Sequence, residues 1–284
     1  MRISLKNILK TTLICTVLLT FLNLHTNPCL AAEKSSKPSK VMLLTENIVY
    51  NYDLNGDGKT EAVQYKVTEK ENAHTATLKL YINKKLVLTK EEEGLSYCVY
   101  LTDLNQSDNS LNFFIYTVWE SGWVENAFFA QYNESKLDTI AFEPMKVAKD
   151  FNISRYTLFS TDGNGKFTLS IDTPIDAPSI GFYYCYISFQ LKDNKITLLP
   201  DRTFSLVDFS KNYQYKAAKT ISAYQSAGSK TVSYKIKKGD TVTFDEMYLS
   251  KSGKVYFRMN NAKGKKGWIR SNLNNLFIDV PMWG

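Results

Sequence analysis

The sequence predicts an all-β protein: an antiparallel β-rich region followed by a smaller β-rich block. Three observations carry that expectation. From Val41 to about Leu199, short alternating apolar runs are broken by turn residues at intervals of roughly 8–15 positions. Three pairs of such runs flank polar turns at Asn83-Lys84-Lys85, Asn133-Glu134-Ser135-Lys136 and Lys192-Asp193-Asn194-Lys195. No stretch carries a 3.6-residue apolar stripe between helix caps. The composition is that of a folded chain: 284 residues, 44% hydrophobic and 22% charged, too apolar for wholesale disorder. With 13 Gly and 7 Pro, collagen-like and low-complexity architectures are excluded.

Residues 1–32 read as a secretory signal peptide. Arg2, Lys6 and Lys10 make a positive start, Thr11 to Leu24 an apolar run of 14 residues, and Cys29-Leu30-Ala31-Ala32 a small-residue exit. The run falls short of the roughly 18 residues that span a bilayer, so cleavage and secretion are expected over an uncleaved anchor. Pro28 speaks against lipid attachment at Cys29. No later run is long enough for a transmembrane helix. Glu33 to Lys40 is polar and rich in Ser, Lys and Pro, a flexible leader. Export leaves Cys98 and Cys185, either as a disulfide or as two small buried hydrophobes.

Residues 41–200 form the expected β-rich domain, and its strongest motif is Asp53-Leu54-Asn55-Gly56-Asp57-Gly58-Lys59-Thr60-Glu61. Side-chain oxygens of Asp53, Asn55, Asp57 and Glu61, with the carbonyl of Lys59, suit a hard cation such as Ca²⁺, and the central glycine permits a sharp bend. An EF-hand would need Glu where Gln64 stands, and strand-like runs flank the loop in place of helices. The loop therefore resembles the calcium loops of FG-GAP/VCBS-type β-repeats, which implies a structural metal; the other reading is a solvated polar turn. Asp103-Leu104-Asn105 repeats Asp53-Leu54-Asn55 fifty residues on, either as a decayed β-unit or by coincidence. Trp119 and Trp123, around Glu120-Ser121-Gly122, either offer a sugar-stacking platform or pack a β-core corner.

Residues 201–216 lack a period and read as a connector; residues 217–279 resume the alternation. Charge separates the two blocks. Residues 219–272 hold 12 Lys or Arg against 3 Asp or Glu, a balance of +9, whereas residues 33–218 hold 20 against 24, a balance of −4. Ala223-Tyr224, Lys238-Gly239-Asp240 leading into Val242-Thr243-Phe244, Tyr256-Phe257-Arg258-Met259 and Gly267-Trp268-Ile269 make this block similar to bacterial SH3-like domains, small β-barrels. The resemblance implies binding to cell-wall peptide or glycan, with Tyr224, Tyr248, Tyr256 and Trp268 as candidate ligand-facing aromatics or, alternatively, as barrel packing. Its positive charge suits phosphate-bearing wall polymers such as teichoic acids. Nucleic acid could use the same charge, but export makes it an unsuitable partner.

Catalytic constellations are scarce. His74 is the one histidine after residue 32, too few for a His-based zinc site, and Cys98 and Cys185 sit in aromatic strands that disfavour a thiolate. No Gly-rich phosphate loop is present. The expected function is thus an exported, non-catalytic, cell-envelope-associated binding protein with no catalytic residues assigned. A wall hydrolase using an acidic pair, targeted by the SH3-like module, is the alternative.

Overall fold

The structure, a computed structural model, describes residues 41–70 and 74–282; the expected signal peptide and leader lie outside the described residues. After β1 (Met42–Leu43), a four-stranded meander runs through β2 (Tyr50–Tyr52), β3 (Glu61–Lys70), β4 (Thr75–Ile82) and β5 (Lys85–Glu93). A second meander follows in β6 (Ser96–Thr102), β7 (Asn112–Val118), β8 (Val124–Asn133) and β9 (Lys136–Phe142), with β1 added beside β6. Helix α1 (Pro144–Val147) leads to a third, β10 (Tyr156–Thr161), β11 (Lys166–Asp172), β12 (Tyr184–Lys192) and β13 (Lys195–Leu198). The last sheet takes β14 (Thr203–Ser205), then, after helix α2 (Asp208–Asn212), β15 (Tyr215–Ala217), β16 (Ile221–Tyr224), β17 (Val232–Ile236), β18 (Thr241–Leu249), β19 (Val255–Asn261), β20 (Lys266–Arg270) and β21 (Phe277–Ile278). Its spatial order is β17-β16-β20-β19-β18-β15-β21, with β14 on β18. The protein is all-β with antiparallel sheets, as the sequence predicts.

The turns have local causes. Asn83 and Lys84 (φ 51° and 65°) and Asp193 and Asn194 (φ 50° and 58°) are two-residue turns with both central residues left-handed, the geometry that matches the twist of paired strands. Among residues with a side chain, Asn and Asp tolerate that region best, which explains why three of the four positions carry them.

The first three sheets stack in layers because the middle one is apolar on both faces. In β7, Phe113 and Ile115 join a core shared with Val63, Tyr65, Leu78 and Leu80 of the first sheet. Their neighbours Phe114 and Tyr116 face the other way, toward Phe167, Phe189 and Tyr156 of the third. Period two splits one continuous aromatic run between two cores.

Each layer places a polar loop between its first and second strands, and the three loops stack on one another. The Leu111 amide donates to the Leu54 carbonyl at 2.9 Å, the Gln106 amide to Gly163 O at 2.9 Å, and the Gly165 amide to Leu104 O at 2.7 Å. Gly56 is required by that contact: its φ is 77°, and a Cβ there would stand 2.9 Å from the Asn109 side chain. The repeat of Asp-Leu-Asn at 53 and 103 thus falls at equivalent corners, each with its leucine buried. A third corner, Asp162-Gly163-Asn164-Gly165-Lys166, echoes Asn55-Gly56-Asp57-Gly58-Lys59 without the leucine.

The larger core continues from the third sheet into the last one. The segment between β11 and β12, residues 173–183, inserts under it. Tyr183, fully buried, meets the Phe257 ring edge-on at 5.0 Å, and its hydroxyl donates to Ile175 O at 2.8 Å. The Tyr215 hydroxyl donates to Ile180 O at 3.1 Å, and the Ser179 hydroxyl donates to the carbonyls of Ser271 and Leu273. Residues 201–216, expected as a connector, carry β14, α2 and the start of β15, and Leu206 bridges to Cys185 of β12.

Candidate functional site

In the last sheet, alternation sends Phe244, Met247, Phe257 and Met259 inward and leaves Tyr248, Tyr256, Arg258, Trp268 and Arg270 outward. Register then assembles them. Tyr248 lies opposite Tyr256, Tyr256 opposite Arg270, Arg258 opposite Trp268, and Trp268 opposite Tyr224. Gly267 permits the last pairing: a Cβ there would stand 2.7 Å from that of Ala223 and 3.1 Å from the Tyr234 ring.

A groove of about 520 Å³ opens on this face, lined among others by Lys219, Ser222, Tyr224, Tyr256, Trp268, Arg270, Leu273 and Asn274. Three of the four aromatics singled out from sequence line it together. Tyr248 does not; it stands one strand back, its ring 6.3 Å from that of Tyr256 and edge-on to Trp268 at 6.1 Å. Sequence reading missed Lys219, Arg270, Leu273 and Asn274. Arg270 was within reach, since a residue two positions after Trp268 in a strand shares its face; Lys219 and the 271–276 segment carry no local signal.

The charges on this face divide into two groups. Arg258 is locked: Nε and Nη2 each donate to Asp245 at 2.8 Å, and Nη1 lies 2.7 Å from Glu246. Lys266 adds a contact to Asp245 at 2.9 Å. Burial alone would raise the Asp245 carboxyl, but the hydrogen bonds from Arg258 and Lys266 hold it below the ordinary carboxylate range. The guanidinium of Arg258 also lies 6.0 Å over the Trp268 ring, fixing the indole from one side. Asp240, the third acid of residues 219–272, accepts the Lys237 amide at 2.8 Å. Among the described residues, no carboxylate lines the groove.

The 53–61 loop is closed by its own backbone. Asp53 accepts N–H bonds from Gly56, Asp57 and Gly58 at 2.8–3.1 Å, Asn55 accepts from Asp57 at 3.1 Å, and Asp57 from Lys59 at 2.8 Å. Glu61, only 6% exposed, accepts the Leu54 amide at 2.8 Å. Burial raises its pKa, and the nearby charges of Asp57 and Asp53 push the same way against that hydrogen bond. Among the described residues, no three His, Cys, Asp or Glu side chains converge as a metal-holding group. The donor set nevertheless fits a hard cation chemically: carboxylates with oxygens to spare and a concentration of negative charge.

Elsewhere, the paired tryptophans face different neighbours. Trp119 lies 6.4 Å from the His74 ring, while Trp123 takes the Arg155 guanidinium at 5.8 Å. The β7–β8 turn therefore touches the first layer on one side and the third on the other, with the Trp119 ring half-buried and Trp123 exposed. Arg155 stands 3.7 Å from Asp172, too far for a hydrogen bond. Burial outweighs the opposing pull of Thr173 and of the Arg155 charge, and the Asp172 carboxyl is pushed up to about 6. Cys98 and Cys185 are unbridged thiols. Burial pushes Cys98 up to about 11 and Cys185 higher still, so both remain protonated at neutral pH.

Among the described residues, no helix is long and apolar enough to cross a membrane. Compared with known protein families, curated proteins and solved structures, the chain matches none.

Proposed function

We propose that this protein is an exported, non-catalytic binding protein of the cell envelope, which holds a wall polymer in the groove of its last sheet. The observation that carries this reading is the meeting of Tyr224, Tyr256 and Trp268 in one groove on the most basic part of the chain. Half-exposed aromatic rings beside cations form a surface that is apolar in its middle and wet at its rim, the usual make-up of a recognition site. The positive start and apolar run of residues 1–32 support export, and the similarity to bacterial SH3-like domains supports a wall ligand. We further propose that Ca²⁺ binds at Asp53, Asn55, Asp57, the Lys59 carbonyl and Glu61 as a structural ion, supported by the crowding of negative charge around Glu61.

Sedimentation with purified cell-wall sacculi tests the reading. The full chain should pellet with walls without clearing them, and Trp268→Ala or Tyr256→Ala should leave most of it in the supernatant. Equal pelleting of both variants overturns the groove assignment, and clearing of the wall suspension overturns the non-catalytic one.

A further inference from the structure

Resting on that reading of the groove, we propose that its ligand is a phosphodiester-linked polyol or sugar polymer, and that Arg270 and Lys219 recognise the phosphates. The two arginines of the sheet lie on adjacent strands and differ in one respect. Arg258 has its donors directed to Asp245 and Glu246, while Arg270, exposed beside Tyr256, has no acidic partner among the described residues. Among the described residues, the Lys219 ammonium has only a carbonyl as hydrogen-bond partner, that of Asn274, at 3.4 Å. The three acids of residues 219–272 are all engaged, by Arg258 and Lys266 or by the Lys237 amide. Among the described residues, the groove is therefore cationic with no carboxylate in its lining.

That asymmetry sorts the candidate wall ligands. A wall peptide carries ammonium groups as well as carboxylates, and the groove offers no carboxylate to receive them. A neutral glycan would stack on Tyr256 and Trp268 but would cover two cations without compensating them, which costs free energy. A phosphodiester chain satisfies both features. Its phosphates meet a planar guanidinium that can donate two parallel hydrogen bonds, and the polyol or sugar between them lies on the rings. Arg258 then acts as a positioning residue, holding the indole of Trp268 without touching ligand. Nucleic acid shares the phosphate chemistry, but the export signal in residues 1–32 directs the chain to a compartment whose phosphodiesters are wall polymers.

The test is calorimetric titration of the full exported chain with a poly(glycerol phosphate) oligomer, an uncharged glycan oligomer of equal length and a single-stranded DNA oligomer. The glycerol phosphate oligomer should bind most tightly, and less tightly at 0.5 M than at 0.05 M NaCl. Arg270→Gln and Lys219→Gln should each weaken it about tenfold or more, the loss expected for a direct charge-assisted contact. Lys238→Gln, which removes the same charge from the β17–β18 turn outside the groove, should change it less than twofold. Equal losses in all three variants would reduce the effect to general charge and overturn the proposal, as would tighter binding of DNA. Tighter binding of the neutral glycan that still falls with Trp268→Ala would keep the groove and refute the ligand class. Binding of every probe that ignores both Trp268→Ala and Tyr256→Ala would refute the groove itself. Melting curves of each variant check that it is folded.

Discussion

The stacked layers and the last sheet use the same residue types to opposite ends. In the layers, the distinctive polar and aromatic motifs engage neighbouring segments: the Asp53 oxygens close their own loop, Gly56 receives Asn109, Trp119 meets the His74 ring and the exposed Trp123 takes the Arg155 guanidinium. In the last sheet, the aromatics and Arg270 stay outward around a groove. What separates the two regions is convergence: the aromatics of the last sheet line one groove, whereas those of the layers face different neighbours. The acidic layers and the basic sheet are nonetheless joined, because Tyr183 and Ile180 lie in the core that both share.

That junction supplies the largest expected effect. Tyr183→Ala removes a fully buried ring from between Met247 and Phe257, and should cost about 3–5 kcal/mol in denaturant unfolding. Wild type should melt in one calorimetric transition, since the two regions share that core. Two separate transitions, with only one moved by the substitution, would show that the regions are independent after all.

Asp172, buried at the end of β11, supplies the next effect, confined to the layers. Its folded pKa of about 6 lies above the unfolded value of 3.8, so the native state binds the proton more tightly than the unfolded chain does. The contribution of Asp172 to stability should be fully present below pH 4, be lost as pH rises from 4 to 6, and level off above, while carboxylates held low by partners, such as Asp245, act the opposite way. Asp172→Asn should then stabilise the protein at pH 8 by about 2 kcal/mol and hardly at all at pH 4. A pH-independent effect would mean that the carboxyl is better compensated by Arg155 than a separation of 3.7 Å allows.

The effect expected of the proposed Ca²⁺ is smaller and centred on the corner where the first layer meets the second. With a Kd of about 10⁻⁴ M, typical of extracellular modules, 1 mM Ca²⁺ would add roughly 1.4 kcal/mol. Melting temperature should rise with Ca²⁺ and return with chelator. Glu61→Gln should raise the metal-free stability at pH 7, because it removes a carboxylate whose ionisation burial disfavours, and should blunt the Ca²⁺ response. No response in wild type removes the ion from the account while leaving the groove untouched.

The sequence made the layers more legible than their union. Alternation located the hairpins at Asn83-Lys84 and Asp193-Asn194, and the Asp-Leu-Asn echo pointed to equivalent corners. Residues 201–216 read as a connector because Thr203–Ser205 and Tyr215–Ala217 are too short for two periods of alternation. Phe182 and Tyr183 are continuous in type with the aromatic strand that follows, yet strand pairing begins at Tyr184, and Tyr183 turns into the core beneath the last sheet. The aromatic part of the groove was readable from residue type and period. Its cationic part was not, because Arg270 is distinguishable from Arg258 only once Asp245 and Glu246 are matched to their partners.

Mapping the bound ligand is the most direct measurement of whether the groove is the binding site. In amide chemical-shift titration of the labelled protein with poly(glycerol phosphate) oligomer, the largest changes should fall in Lys219–Tyr224, around Gly228 and from Trp268 to Asn274. Largest changes at the 53–61 loop or at Trp119–Trp123, with the groove amides unmoved, would contradict it.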